Sequence, residues 1–137
     1  MLIHPIKLND LDFGRNKEIS EIVKIRKRFS NSLKPTKNFF VFDYVSPECY
    51  VELKSRRNKL NTYPDTMVGK NKMDYAEIAD RPVYFVFSFI DGLYYWKYNK
   101  EDIQNGNVRF NIGGRCDRGR AEYKTYAYIS TKILQLI

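Results

Sequence analysis

Phe39-Phe40-Val41-Phe42-Asp43-Tyr44-Val45 and Cys49-Tyr50-Val51-Glu52-Leu53-Lys54-Ser55 are two β-rich runs joined by Ser46-Pro47-Glu48. Aromatic and β-branched residues favour strands, and Ser-Pro supplies turn chemistry, so the stretch reads as a β-hairpin. Alternate side chains of a strand share a face. Tyr50, Glu52 and Lys54 therefore point one way, and Val51, Leu53 and Ser55 the other. Val51 and Leu53 suit a packed face. Glu52 and Lys54 then stand together on the opposite face of a strand whose neighbours mark it as interior. Desolvating such a pair is costly unless the charges are paired, bind a cation or serve a reaction. The turn folds Asp43 back beside this strand, so two carboxylates and one lysine converge at the hairpin's edge.

Working outward, residues 1–13 show no clear periodicity and suit an arm or a short strand. From Asn16, Ile19, Ile22, Val23, Phe29 and Leu33 recur at helical spacing, and Pro35 ends that helix. Residues 56–66 are polar and read as a loop, and Met67–Ala79 reads as a helix. Val83–Ile90 is continuous and apolar, as expected of a strand buried on both faces. Asp91-Gly92 offers a two-residue turn into a strand over Leu93–Tyr98. A short strand near Val108–Ile112 leads into Gly113-Gly114-Arg115-Cys116-Asp117-Arg118-Gly119-Arg120, and Tyr126–Ile129 precedes a short apolar tail. Helix, hairpin, helix and strands in this order predict one α/β domain over 1–137, a mixed sheet with helices against it.

The chain has 137 residues, with 24 Lys+Arg against 16 Asp+Glu, a net charge of +8. A small domain this basic suits a polyanion, nucleic acid before an acidic membrane surface. Its 11 Tyr, 9 Phe and 1 Trp exceed what such a core needs, which puts some of them on a working surface. Tyr94, Tyr95, Trp96 and Tyr98 include candidates to stack on bases, although alternate members must be core. No apolar run approaches a membrane span, and Met1–Lys7 lacks a signal-peptide layout. Cys49 and Cys116 make no disulfide framework, and a lone His4 removes the usual zinc spacings. The expectation is a reduced, intracellular, soluble, zinc-free domain.

Two carboxylates a few ångströms apart repel, and a hard divalent cation relieves that repulsion. Mg²⁺ in such a place is a Lewis acid that activates water, and a neighbouring lysine orients that water and offsets developing phosphate charge. This equipment suits phosphodiester hydrolysis. The competing reading is a surface hairpin with an ordinary ion pair.

Asp43, eight intervening residues, then Glu52-Leu53-Lys54 in a hairpin after a basic helix resembles the PD-(D/E)XK nuclease superfamily. That superfamily includes Holliday-junction resolvases and many phage and virus nucleases. The residue before Asp43 is Phe42 rather than proline, a departure from the motif's name. The resemblance implies a restriction-endonuclease-like αβββαβ core, a mixed central sheet flanked by helices, Mg²⁺ or Mn²⁺, and cleavage of DNA. It makes Asp43 and Glu52 metal ligands with the Leu53 carbonyl, and Lys54 the residue that positions or activates water. It also implies a glutamate from the first helix. At about 100° per residue from Ile19, the apolar face centres near about 330°, with Glu18 at about 260° and Glu21 at about 200°. That reading favours Glu18 beside the buried face and turns Glu21 away. Lys72, on the helix after the motif strand, takes the place of a phosphate-contacting lysine.

Eight Lys/Arg against two Glu over 15–37, and six against one Asp over 54–72, mark the basic surfaces. Arg56 and Arg57 follow the motif strand where a DNA backbone would approach, and Arg115, Arg118 and Arg120 lie among glycines that permit close approach to phosphate. Solvated surface charge and a plain turn are the alternatives. Nothing reads base edges, so action selective for structure or non-specific action is expected. By analogy the family adds a homodimer that encloses its substrate, and a place in the cytoplasm or nucleus of a host cell, or in a virion. The rival function is a catalytically inactive nucleic-acid-binding module on the same fold.

Overall fold

Pairing of the backbone assigns the strands to two sheets in a computed structural model that describes residues 19–115 and 122–137. The first helix, α1, runs through 19–29. Lys34–Pro35 (β1), Tyr44–Val45 (β2) and Tyr50–Ser55 (β3) then pair antiparallel in turn. The β2–β3 turn is closed by Ser46, whose N–H donates to the Cys49 carbonyl at 2.9 Å. Its hydroxyl accepts from the Glu48 and Cys49 N–H groups at 3.2 and 3.1 Å.

The expected strand over 39–45 shrinks to Tyr44–Val45. The cause is local: the Leu53 N–H donates to the Asp43 carboxylate at 2.8 Å, taking a side chain where a longer ladder would offer a carbonyl. Thr36 holds the departing backbone, its hydroxyl donating to the Phe42 carbonyl at 2.5 Å and its N–H to the Asp43 carbonyl at 3.0 Å.

Asp65–Gly69 forms β4 and Lys70–Ile78 forms α2. The expected helix over 67–79 therefore starts late. Thr66 and Val68 are buried and alternate with exposed or half-buried neighbours, a period of two that fits the pairing with a strand and not a helix. After α2 the chain returns as β5, Val83–Phe89, parallel to β3 with Glu52 opposite Phe85 and Lys54 opposite Phe87. Gly92–Lys97 (β6) is antiparallel to β5. Phe89 pairs with Gly92, so Ile90-Asp91 is the turn, one residue earlier than expected. Gly92 sits at φ +150°, a conformation that suits glycine.

Lys100–Gln104 is a short helix, α3, within a stretch read from the sequence only as polar. Val108–Arg115 (β7) and Glu122–Ser130 (β8) form a long ribbon, and Gln135–Leu136 (β9) closes the edge of the first sheet on β6. Gly113 and Gly114 are ladder residues opposite Lys124 and Tyr123, so the strand expected near Val108–Ile112 runs on into the glycine stretch. A Cβ at Gly113 would meet the Tyr126 ring at 2.8 Å, so the glycine makes room for an aromatic lying across the ribbon.

The result is a mixed sheet in the order β1-β2-β3-β5-β6-β9 beside a smaller antiparallel sheet, β4-β8-β7, with helices against them. This is the restriction-endonuclease-like α/β arrangement. Phe85, Phe87 and Trp96 on one face of the large sheet pack with Met73 of α2 and with Val68, Val108, Ala127 and Ile129 of the small sheet. Val51, Val86 and Tyr95 on the other face pack with Ile25 of α1 and with Leu33. Burial of this kind stabilises by about 25 cal/mol per Å² of apolar surface. Among the described residues no helix is long and apolar enough to cross a membrane.

Candidate active site

Glu52 is only 1% exposed, on the β3 face that packs toward α2. Its Oε2 meets two ammonium groups, Lys54 Nζ at 3.4 Å and Lys72 Nζ at 3.1 Å. Lys54 shares its face by the strand's alternation. Lys72 comes across from the first turn of α2 and also donates to the Val41 carbonyl. A cation in the first turn opposes the helix dipole, so Glu52 and Val41, and not the helix, account for Lys72's position.

The other oxygen, Glu52 Oε1, is buried and has no hydrogen-bond partner. Asp43 stands beside the Glu52 carboxylate, oriented by the Leu53 N–H. Burial pushes the Glu52 carboxyl above the ordinary glutamate range of 4.5, the Asp43 charge and the hydrogen bond that a proton held between the two carboxyls makes push the same way, and Lys54 and Lys72 pull against them. Ionised carboxylates only accept hydrogen bonds, so the two stay together by sharing a proton or a cation.

The donor set fits a hard divalent ion. An orphaned buried oxygen, an adjacent aspartate and a main-chain carbonyl are all oxygen ligands of the kind Mg²⁺ takes, with water completing the shell. The N–H and C=O of one strand residue point to the same edge. The Leu53 carbonyl therefore opens on the edge that β2 vacates, where Asp43 sits. Among the described residues no three acidic, histidine or cysteine side chains gather as a metal site, so these residues contribute two carboxylates and not three.

The third carboxylate was expected from α1. Glu18 lies outside the described residues. Glu21 does not turn away: it is 7% exposed and accepts a 2.5 Å hydrogen bond from the Ser88 hydroxyl of β5. Ile19 and Val23, which pulled the inferred apolar face toward themselves, are both more than half exposed. The buried arc is set by Glu21, Ile22, Ile25 and Phe29, rotated by about 80° from the expected centre at 100° per residue. Ser88 pairs with Ser55, so Glu21 meets the sheet on the face opposite Glu52. The signal that could have found it is the four-residue spacing of Glu21, Ile25 and Phe29.

The expected phosphate contacts separate in the same way. Lys72 is bound into the Glu52 cluster. Arg56 is half-buried and spends its guanidinium on the Thr66 hydroxyl at 3.2 Å and the Met67 carbonyl, fastening the end of β3 to β4. Arg57 is exposed. Arg115 ends β7, and Arg118 and Arg120 lie outside the described residues, as do His4 and Cys116. Cys49 is a buried free thiol, pushed up by that burial. Tyr95 and Trp96 are core residues whose polar atoms bond to Gln135 and Asp102. They line a cavity of about 780 Å³ that contains none of Asp43, Glu52, Lys54 or Lys72.

A mixed sheet with an acid and a lysine on one strand and a second acid just ahead of the neighbouring strand is the arrangement of the PD-(D/E)XK nucleases. Within that class, the chain belongs to the family described as "Phage putative PDDEXK endonuclease", whose model matches residues 10–133. No curated protein and no solved structure matches the chain. Membership makes the protein a nuclease by family and nucleic acid its substrate, in a superfamily that generally uses divalent metals.

Proposed function

We propose that the protein is a divalent-metal-dependent endonuclease that hydrolyses phosphodiester bonds in DNA, selective for structure or non-specific in sequence. The observation that carries this reading is the buried, partnerless Oε1 of Glu52 next to a second carboxylate. Nothing about folding requires that arrangement, and a cation removes its cost.

Asp43, Glu52 and the Leu53 carbonyl would hold Mg²⁺ or Mn²⁺, with Glu18 the proposed helix carboxylate. When bound, such an ion supplies Lewis acidity to a phosphate oxygen and lowers the pKa of water. Lys54, half-buried on the same face as Glu52, orients the attacking water and offsets the charge that gathers on the phosphoryl oxygens. Lys72 is a positioning residue: it ties Glu52 Oε2 to the Val41 carbonyl and so leaves Oε1 as the oxygen free for a cation. The Leu53 N–H does the same for Asp43. Arg57 and the arginines of the 113–120 stretch supply phosphate contacts.

The rival reading, an inactive binding module, draws on the two ammonium groups that already face Glu52. One experiment separates the two. Mn²⁺ and Mg²⁺ are titrated against melting temperature and against cleavage of forked, junction, nicked and linear DNA. The nuclease reading expects cleavage in either ion and a metal-dependent rise in Tm. It also expects K54A to lose about 100-fold or more in rate while keeping that rise. A Tm that moves with DNA but not with Mn²⁺, and no cleavage of any substrate, establishes the rival.

A further inference from the structure

The segment that delivers Asp43 to the site also presents Phe39 fully to solvent, with Phe40 nearly half exposed. Turn positions ordinarily carry small or polar residues, and an exposed phenylalanine there does nothing for the core. The turn is firmly held: the Phe40 N–H donates to the Lys37 carbonyl at 2.9 Å, and Thr36 clamps the two residues that follow Val41. From Phe40 inward the rings form a stair, Phe40 to Tyr50 at 5.5 Å and Tyr50 to Phe42 at 5.4 Å between centroids, tilted by 37° and 34°. Tyr75 and Ile78 of α2, 50% and 77% exposed, form the opposite wall of a groove of about 380 Å³.

The groove adjoins the site through shared elements, although neither carboxylate lines it. Val41 lines it, and the Val41 carbonyl receives Lys72, the partner of Glu52. Tyr50 precedes Glu52 by two residues on the same strand face, about 7 Å along β3. The acidic side chain in the groove wall, Asp80, is occupied by the Tyr50 hydroxyl at 2.9 Å and by Arg81 at 3.1 Å. Lys37, whose carbonyl closes the turn onto Phe40, is exposed.

The geometry points to this aromatic groove as a stacking site for an unpaired base of the nucleic acid whose phosphate lies at the Asp43–Glu52 pair. The inference rests on the nuclease reading and deepens it. It names the substrate class as DNA with unpaired bases beside the scissile phosphate, such as a fork, a flap or a single-stranded end. An apolar wall with an exposed lysine in its turn suits a base and its backbone, since every base has a π-face and stacking tolerates sequence. A protein partner or a second copy of this chain would also cover exposed rings, but neither explains why the groove is built on Tyr50 and Val41, next to Glu52 and its partner Lys72.

The test measures binding in the K54A background with Mg²⁺, using forked and fully duplex DNA that carries 2-aminopurine at the branch. Adding F39A is expected to lower the fork-over-duplex affinity ratio about tenfold, within the range that loss of one base–aromatic stack gives. F39W is expected to keep the ratio and to show emission quenched by forked DNA. Since Phe39 is exposed, F39A should fold, which circular dichroism checks. An unchanged ratio in F39A, with K54A still binding DNA, overturns the stacking site and leaves the nuclease reading intact. A change from dimer to monomer in sedimentation, without a change in ratio, assigns the groove to a second copy and likewise overturns it. A protein that neither binds nor cuts DNA overturns both.

Discussion

Two buried glutamates lie on opposite faces of the same sheet, and their surroundings differ in kind. Glu21, from α1, is met by a hydroxyl, Ser88, at 2.5 Å. Glu52, from β3, has one oxygen between two ammonium groups and the other without any donor, beside a second acid. Both are costly to bury. The first carboxylate is given a donor by the strand it touches, which makes it part of the packing between α1 and β5. The second is kept in a state that only a proton or a cation relieves. Burial alone therefore does not mark a site; a buried carboxylate with an unanswered oxygen and a like-charged neighbour does.

The comparison breaks most sharply in activity. E52Q should lose cleavage by about 100-fold or more and with it the Mn²⁺-dependent rise in Tm, which for wild type at a hundredfold excess over Kd corresponds to about 2.7 kcal/mol. E21A should keep that rise. Equal loss of it in both variants would mean that the two faces form one site.

Stability of the metal-free protein should move in opposite directions. E21A leaves Ser88 without its acceptor and should cost about 1–3 kcal/mol in denaturant unfolding. E52Q should stabilise the metal-free protein at neutral pH, read as a higher denaturation midpoint, because it removes a charge that burial and Asp43 disfavour. The sign with pH follows from the raised carboxyl. Folded Glu52 takes up its proton at higher pH than the ordinary 4.5 of the unfolded chain. Its destabilisation is full above the raised value and fades as pH falls toward 4.5. The advantage of E52Q should fade over the same interval, and metal-free wild type that loses stability relative to E52Q on acidification would contradict it.

The smallest effect separates Arg56 from Arg57. R57A should lower the log–log salt slope of DNA binding by about 0.9, as for one phosphate contact. R56A should lower Tm, because it releases Thr66 and Met67 of β4.

Much of this was legible locally. The alternation of Tyr50-Val51-Glu52-Leu53-Lys54 placed the acid and the amine on one face, and the unbroken run at Val83–Phe89 marked the central strand. Other features were hidden because competing signals were equally local. Thr66 and Val68 carried a strand period that Met67–Ala79 masked with helix formers. Ile19 and Val23 biased the helix face away from Glu21, although both face solvent. Hydrophobicity does not say which apolar residues a small protein will leave outside.

By itself the sequence determined what lies within an element: which side chains share a strand face, where turns fall, and that the surface is basic. Periodicity and turn chemistry act over a few residues, so they can be read without a partner. The tertiary structure decided what meets across elements. Asp43 comes to Leu53 because β2 starts late, and Lys72 comes to Glu52 because α2 crosses between β3 and β5. Ser88 claims Glu21 from the far face. Those meetings depend on the register of a parallel pair and on the packing of a helix over it, which no local pattern encodes.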